Sequence, residues 1–174
     1  MRICHVTAHL PPDQGANALL PVHLGQWARE AGDQPRYIAY PPRSLAAKDA
    51  AGLAAVEAAM PGPVTWLAPR PKGSRIPGAA MATSVIDLLR IRASTKRALA
   101  SADVVHVHSN GYLPEALAWL ASHRPVVLTL YGTEIWHYRR KPIVDLFTRA
   151  YESAAHVTFY SRGLLDRALE FGLM

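Results

Sequence analysis

Strand-like and helix-like runs take turns along this chain, and that alternation limits the fold more than any other feature. RICHVT (2–7), PRYIAY (35–40), VTWLA (64–68), DVVHVH (103–108), VVLTL (126–130) and HVTFY (156–160) are short runs rich in β-branched or aromatic residues, as strands are. Between them the pattern predicts helices near 19–31, 45–59, 81–100, 113–123 and 142–153, and a closing helix capped by Ser161 that ends at Gly172. Gly32 sits where a helix stops in the left-handed conformation, Pro61-Gly62 closes the second helix, and Pro114 and Glu115 suit a first helical turn. In 81–100 the apolar residues Met81, Val85, Leu88, Leu89 and Leu99 share a face, with the basic residues gathered in the C-terminal half.

Six β units separated by helices predict one α/β domain over 1–174: a Rossmann-like parallel sheet with helices on both faces. Strands four and five, the most continuously apolar, are expected at its centre. In such sheets ligands bind beyond the carboxyl ends of the strands. The loops there are 8–17, 41–44, 69–80, 109–112, 131–141 and 161–162, and they hold most of the unusual polar residues.

Strand five is the most telling. Its apolar run stops at Tyr131, Gly132, Thr133 and Glu134, followed by Trp136. Those residues read either as the floor of a site or as a short helical turn capped by Thr133 or Glu134. PPDQGAN (11–17) is a glycine-containing loop before a helix, where backbone N–H groups hold phosphate; the same residues also serve as a plain βα turn. His106 and His108 alternate onto one side of strand four. A metal site needs a third ligand at a recognisable spacing, and none is visible, so no metal is expected. His108 reads instead as a hydrogen-bonding group at the site floor. No nucleophile elbow, Walker loop or glycosidase-like carboxylate pair is present.

Composition narrows the partners. Half the residues are hydrophobic and 18% are charged, which fits a globular chain. The single cysteine, Cys4, cannot form an internal disulfide and favours a reduced, cytoplasmic setting. The first apolar run is broken by His5, Thr7 and His9, unlike a secretory signal, and no membrane-spanning run occurs. A net charge of +6 points to anionic partners, with clusters at Arg70, Lys72 and Arg75, along 90–97 and at 139–141. Solvated surface charge is the plain alternative for each. Nucleic acid is not expected, because no aromatic–basic interleaving or zinc spacing accompanies them.

MRICHVTAHLPPDQGA, DVVHVHSNGYLPEALAWLA, VVLTLYGTEIW and AAHVTFYSRGLLDRALEFG, in that order and spacing, resemble the N-terminal domain of the retaining GT-B glycosyltransferases of family 4. The resemblance covers nearly the whole chain. It implies the N-terminal half of a two-domain enzyme that moves a sugar from a nucleotide diphospho-sugar to an acceptor with retention, without cofactor or bound metal. It assigns Gly15 and Ala16 to the loop at the donor diphosphate. It sets Tyr131 and Glu134 at the reaction centre, and His108, Asn110, Tyr112, Gly132 and Thr133 toward the acceptor. Arg70, Lys72 and Arg75 are expected to face an anionic acceptor or the inner, anionic membrane surface. Tyr131 departs from the family, standing where a histidine is usual: it donates a hydrogen bond but cannot vary its charge near neutrality. The donor-binding C-terminal domain is expected in cis or from a partner chain, and the isolated chain is expected to be inactive. The rival expectation is a non-enzymatic α/β module that binds an anionic ligand or a partner protein.

Overall fold

The structure is a computed structural model that describes residues 1–45, 49–67, 79–109, 116–117, 119–121, 123–140 and 145–173, with the backbone alone at 79–85, 87–88 and 146. The strands are β1 (Arg2–Thr7), β2 (Gln34–Ala39), β3 (Val64–Trp66), β4 (Val104–Ser109), β5 (Val126–Leu130) and β6 (His156–Phe159). The helices are α1 (Ala16–Glu30), α2 (Ala50–Ala59), α3 (Ala79–Ala100), α4 (Thr133–Trp136), α5 (Leu146–Ser153) and α6 (Arg162–Glu170). Residues 116–117 and 119–120 are also helical.

All strand pairs are parallel, in the order β3-β2-β1-β4-β5-β6. The alternation thus yields the expected Rossmann-like sheet, but its middle is β1 and β4. β5 lies one place from the edge. The expectation for strand five followed apolar content, and that is a poor guide here because β1 carries buried polar residues, His5 and Thr7, at the centre of the sheet.

The two faces differ chemically because side chains alternate along each strand. One face carries Cys4, Val6, Ile38, Val105, Val107, Val126, Leu128 and Leu130, and it packs against Ile91, Ala98 and Leu99 of α3, Phe147 and Ala150 of α5, and Leu164 and Ala168 of α6. The inward stripe of α3 therefore runs through Ile91, Thr95, Ala98 and Leu99, while Leu89, expected on the apolar face, is 60% exposed. The other face carries Tyr37 and Ala39 on β2, His5 and Thr7 on β1, His106 and His108 on β4, and Thr129 on β5. The registers His5↔Tyr37, His5↔His106, Thr7↔His108 and His108↔Thr129 align them.

Helix α1 closes over this second face, packing on β1, β2 and β4. Two residues let it come close. A Cβ on Gly25 would stand 1.7 Å from the Tyr37 hydroxyl, so only glycine fits. Pro21 has no N–H to give to the carbonyl of Asn17 one turn earlier. The Thr7 hydroxyl, 2.8 Å from that oxygen, supplies the missing donor from the sheet. Helix starts follow their caps: Asp49 accepts from Gly52 N–H at 2.8 Å and Asp145 from Thr148 N–H at 3.0 Å, which sets the starts of α2 and α5 several residues later than the pattern suggested. Among the described residues no helix is long and apolar enough to cross a membrane.

Candidate functional site

In a parallel sheet every carboxyl end lies on one edge, so the described loops after β1, β2, β5 and β6 share a rim. After β1 the chain turns through Gly15, at φ +125°, into α1. Gly15 and Ala16 thus stand at the helix start itself, because α1 begins earlier than the start near 19 that the pattern suggested. Beside them is a cavity of about 280 Å³ lined by His9, Asp13, Gln14, Asn17 and Arg43. Asp13 organises it, taking the His9 ring nitrogen at 3.1 Å and the Arg43 backbone N–H at 3.0 Å. The buried Asn17 amide nitrogen has no partner among the described residues. Sequence reading singled out none of His9, Asp13, Asn17 or Arg43; their signal was membership in adjacent rim loops, 8–17 and 41–44.

On the other side of the rim β5 delivers Tyr131. Its hydroxyl is 2.7 Å from His108 Nδ1, and His108 Nε2 is 3.2 Å from His5 Nδ1. Parallel to this line, His106 Nε2 meets the Thr129 hydroxyl at 2.7 Å, and Thr129 meets Thr158 at 2.8 Å. Each histidine bond reaches the residue two beyond its register partner, so the His5–His108–Tyr131 line climbs from the buried sheet toward the rim. His108 was expected to face an acceptor. It is fully buried, and among the described residues Tyr131 links it to the rim.

Burial controls the charges. It holds His5 down to about 3 and His106 to about 4, and drives His108 well below the usual histidine range, with neighbouring imidazoles adding to the effect at His5 and His108. All three rings are neutral near pH 7. Burial, then the charge of Glu134 and the neighbouring Tyr160, raises the Tyr131 hydroxyl, so it stays protonated and can donate.

Glu134 braces the turn: one carboxylate oxygen accepts the Tyr131 N–H at 2.9 Å. Burial raises its pKa, partly opposed by hydrogen bonds from the turn's backbone. The capping role weighed for Glu134 is therefore present in the geometry. Gly132, at φ +142°, precedes α4, and a Cβ there would sit 3.3 Å from the Trp136 ring. Thr133 is exposed. Trp136 is 52% exposed on the rim and does not pack underneath it. Tyr160, read from the sequence only as the end of strand six, stands 5.8 Å from the Tyr131 ring and is 61% exposed. Together Tyr131, Trp136 and Tyr160 give the rim an aromatic border. Asn110, Tyr112, Arg70, Lys72 and Arg75 lie outside the described residues.

The structure also supplies what the HVH spacing lacked. His5, brought beside His106 by the β1–β4 register, forms with His106 and His108 a group whose ring nitrogens lie within 4.8 Å of one another. Its sequence distance of about a hundred residues hid it.

Comparison with known proteins places these features. A protein from Listeria monocytogenes assigned as a UDP-N-acetylglucosamine 2-epimerase superposes with a TM-score of 0.60 at 13% identity, over 98% of this chain and 42% of that one. A second UDP-N-acetylglucosamine 2-epimerase gives 0.51 at 14% identity, over 98% and 45%. At such identities the likeness is one of fold, and the chain spans less than half the length of either structure. No curated protein sequence matches it. The model of Glycosyltransferase Family 4 matches residues 22–174, which include β4, β5 and the Tyr131 turn and begin after Gly15 and Ala16. With its six-stranded Rossmann-like sheet, the chain belongs to Glycosyltransferase Family 4.

Proposed function

We propose that this chain is the acceptor-side domain of a hexosyl-type glycosyltransferase that moves a sugar from a nucleotide diphospho-sugar to an acceptor with retained configuration, in a cleft shared with a second, donor-binding domain. The observation that carries the reading is Tyr131. In a chain of this family, it is held at the carboxyl rim by His108 and bordered by Tyr160 and Trp136. In this reading the helix start at Gly15 and Ala16, with Arg43 nearby, faces the donor diphosphate. Tyr131 hydrogen-bonds at the reacting sugar, and Glu134 keeps it in place. Gly132, Thr133, Asn110 and Tyr112 face the acceptor. Transfer of this kind draws on backbone dipoles and basic side chains at the leaving diphosphate, with no cofactor.

Arg70, Lys72 and Arg75 serve an anionic acceptor or the anionic inner face of the cytoplasmic membrane, and no nucleic acid is involved. The exposed Ile86 and Leu89 on α3, among Arg90, Arg92, Lys96 and Arg97, support peripheral membrane contact. Co-sedimentation with anionic vesicles that falls at high salt would support it; binding unaffected by replacing Arg70, Lys72 and Arg75 would exclude their part.

The test of the main reading uses a panel of nucleotide-sugars and acceptors. The chain alone gives no product above background, and the same chain joined to a donor-binding domain turns over. Proton NMR of that product shows the donor's anomeric configuration. Turnover by the isolated chain overturns the shared cleft, and an inverted product overturns retention.

A further inference from the structure

His5, His106 and His108 form a convergent group of neutral nitrogen donors, of which the transferase reading uses only the hydrogen bond between His108 and Tyr131. His5 and His108 are 2% and 0% exposed, and His106 is partly exposed, giving the group one side open to solvent. Ring centroids lie 5.4 Å apart for His5–His106, 5.5 Å for His5–His108 and 4.2 Å for His106–His108.

We propose that His5, His106 and His108 bind a divalent first-row transition cation, of which zinc is the representative. This rests on geometry alone and is independent of the transferase reading. Two nitrogens on one tetrahedral zinc, each at about 2.0–2.1 Å, stand about 3.3 Å apart. His5 Nδ1 and His108 Nε2 stand 3.2 Å apart, joined in the metal-free chain by a hydrogen bond that a cation would replace, the shared proton moving to an outer ring nitrogen or to solvent. The outer nitrogens have the partners that orient metal-bound histidines: Tyr131 on His108 Nδ1 and Thr129 on His106 Nε2, each at 2.7 Å. His5 Nε2 is buried with no partner among the described residues, so no described hydrogen bond on that side dictates which His5 nitrogen is the lone pair. The donor set selects the class of ion. Three imidazoles with no carboxylate or thiolate suit zinc, copper, nickel or iron and disfavour magnesium and calcium. Cys4 is on the opposite face of the sheet. Three protein ligands leave one coordination position for solvent.

Occupancy has a chemical consequence at the rim. A cation on His108 Nε2 fixes the ring proton on Nδ1, which then donates to the Tyr131 oxygen. The Tyr131 hydroxyl proton is thereby free to point into the cleft.

The test adds cobalt(II) chloride, a spectroscopic substitute for zinc, to the untagged chain after treatment with chelator. The expected result is one equivalent bound with the intense visible absorption of four-coordinate cobalt, abolished by one equivalent of zinc. Affinity should fall about 10–100-fold in Tyr131→Phe, which removes an outer partner, and the band should vanish in His106→Gln. His23→Gln, at an exposed histidine outside the group, should leave it intact. Only the weak absorption of six-coordinate cobalt, or a strong band that survives His106→Gln, overturns the site. If His106→Gln does not fold, zinc X-ray absorption on the unaltered chain decides instead. A four-atom shell containing imidazoles supports the site, and a six-oxygen shell refutes it.

Discussion

Tyr131, the first residue after β5, and His108 on the neighbouring β4 share a 2.7 Å hydrogen bond, the point where the buried polar face of the sheet meets the rim. Removing the hydroxyl by Tyr131→Phe strands the fully buried His108 Nδ1. Chemical denaturation should therefore show a loss of about 1–3 kcal/mol, the usual cost of a buried polar group left unpaired. Turnover of the complete enzyme should fall on the order of tenfold or more beyond what instability explains. A double-mutant cycle with His108→Leu should give a coupling above about 0.5 kcal/mol. Additive effects would show that the two residues act separately.

Gly25→Ala reverses an ordinary rule. In most helices the change stabilises by about 1 kcal/mol. Here the new Cβ would stand 1.7 Å from the Tyr37 hydroxyl and 2.9 Å from Tyr37 Cζ. The expected outcome is a destabilisation of about 1–3 kcal/mol from overpacking. Tyr37→Phe in the same chain should recover part of it. A stabilised Gly25→Ala protein would mean that α1 sits farther from β2.

Cys4 is fully buried, and burial pushes its thiol up to about 12, partly opposed by Arg36. It should react with a disulfide reagent only as fast as the chain unfolds, and the rate should rise with denaturant along the unfolding curve. Rapid labelling under native conditions would place the thiol at the surface.

Acid should weaken the metal-free chain through its imidazoles. His5 and His106 titrate at about 3 and 4 when folded, against about 6.5 when unfolded. Below 6.5 the unfolded chain binds protons that the folded chain does not. Their contribution is therefore complete above pH 6.5 and is lost as pH falls toward 4 and then 3, at roughly 1.4 kcal/mol per pH unit for each ring. Urea midpoints measured from pH 7 to pH 4.5 in chelator should fall steadily. A flat profile would mean that the rings are hydrated in the folded state.

The alternation of β and α runs, the glycine-containing loop before the first helix and the rim position of Tyr131–Glu134 were all legible in the sequence, because each depends on local pattern. What was not legible depended on strand order. His5 reads as a polar interruption of an apolar run until β1 is laid against β4; then it is the third imidazole. Arg43 is an ordinary loop residue and Tyr160 an ordinary strand end until the parallel edge brings them beside 8–17 and 131–140. Leu89 fits a helical stripe in sequence, but the docking of α3 rotates that stripe to Ile91, Ala98 and Leu99 and leaves Leu89 outside.

The two chemically distinct faces of the sheet also act as a proofreading device during folding. Slip β1 by one residue against β4, and His5 and Thr7 turn toward Ile91, Leu99 and Val107, while Cys4 and Val6 turn toward His106 and His108. Imidazoles would then be buried without partners in an oily layer, and the hydroxyl that completes α1 at Asn17 would be withdrawn. An apolar sheet would tolerate such a shift with modest loss. This one makes the misaligned state expensive on both faces at once, so the residues that build the candidate site also select the pairing that assembles it.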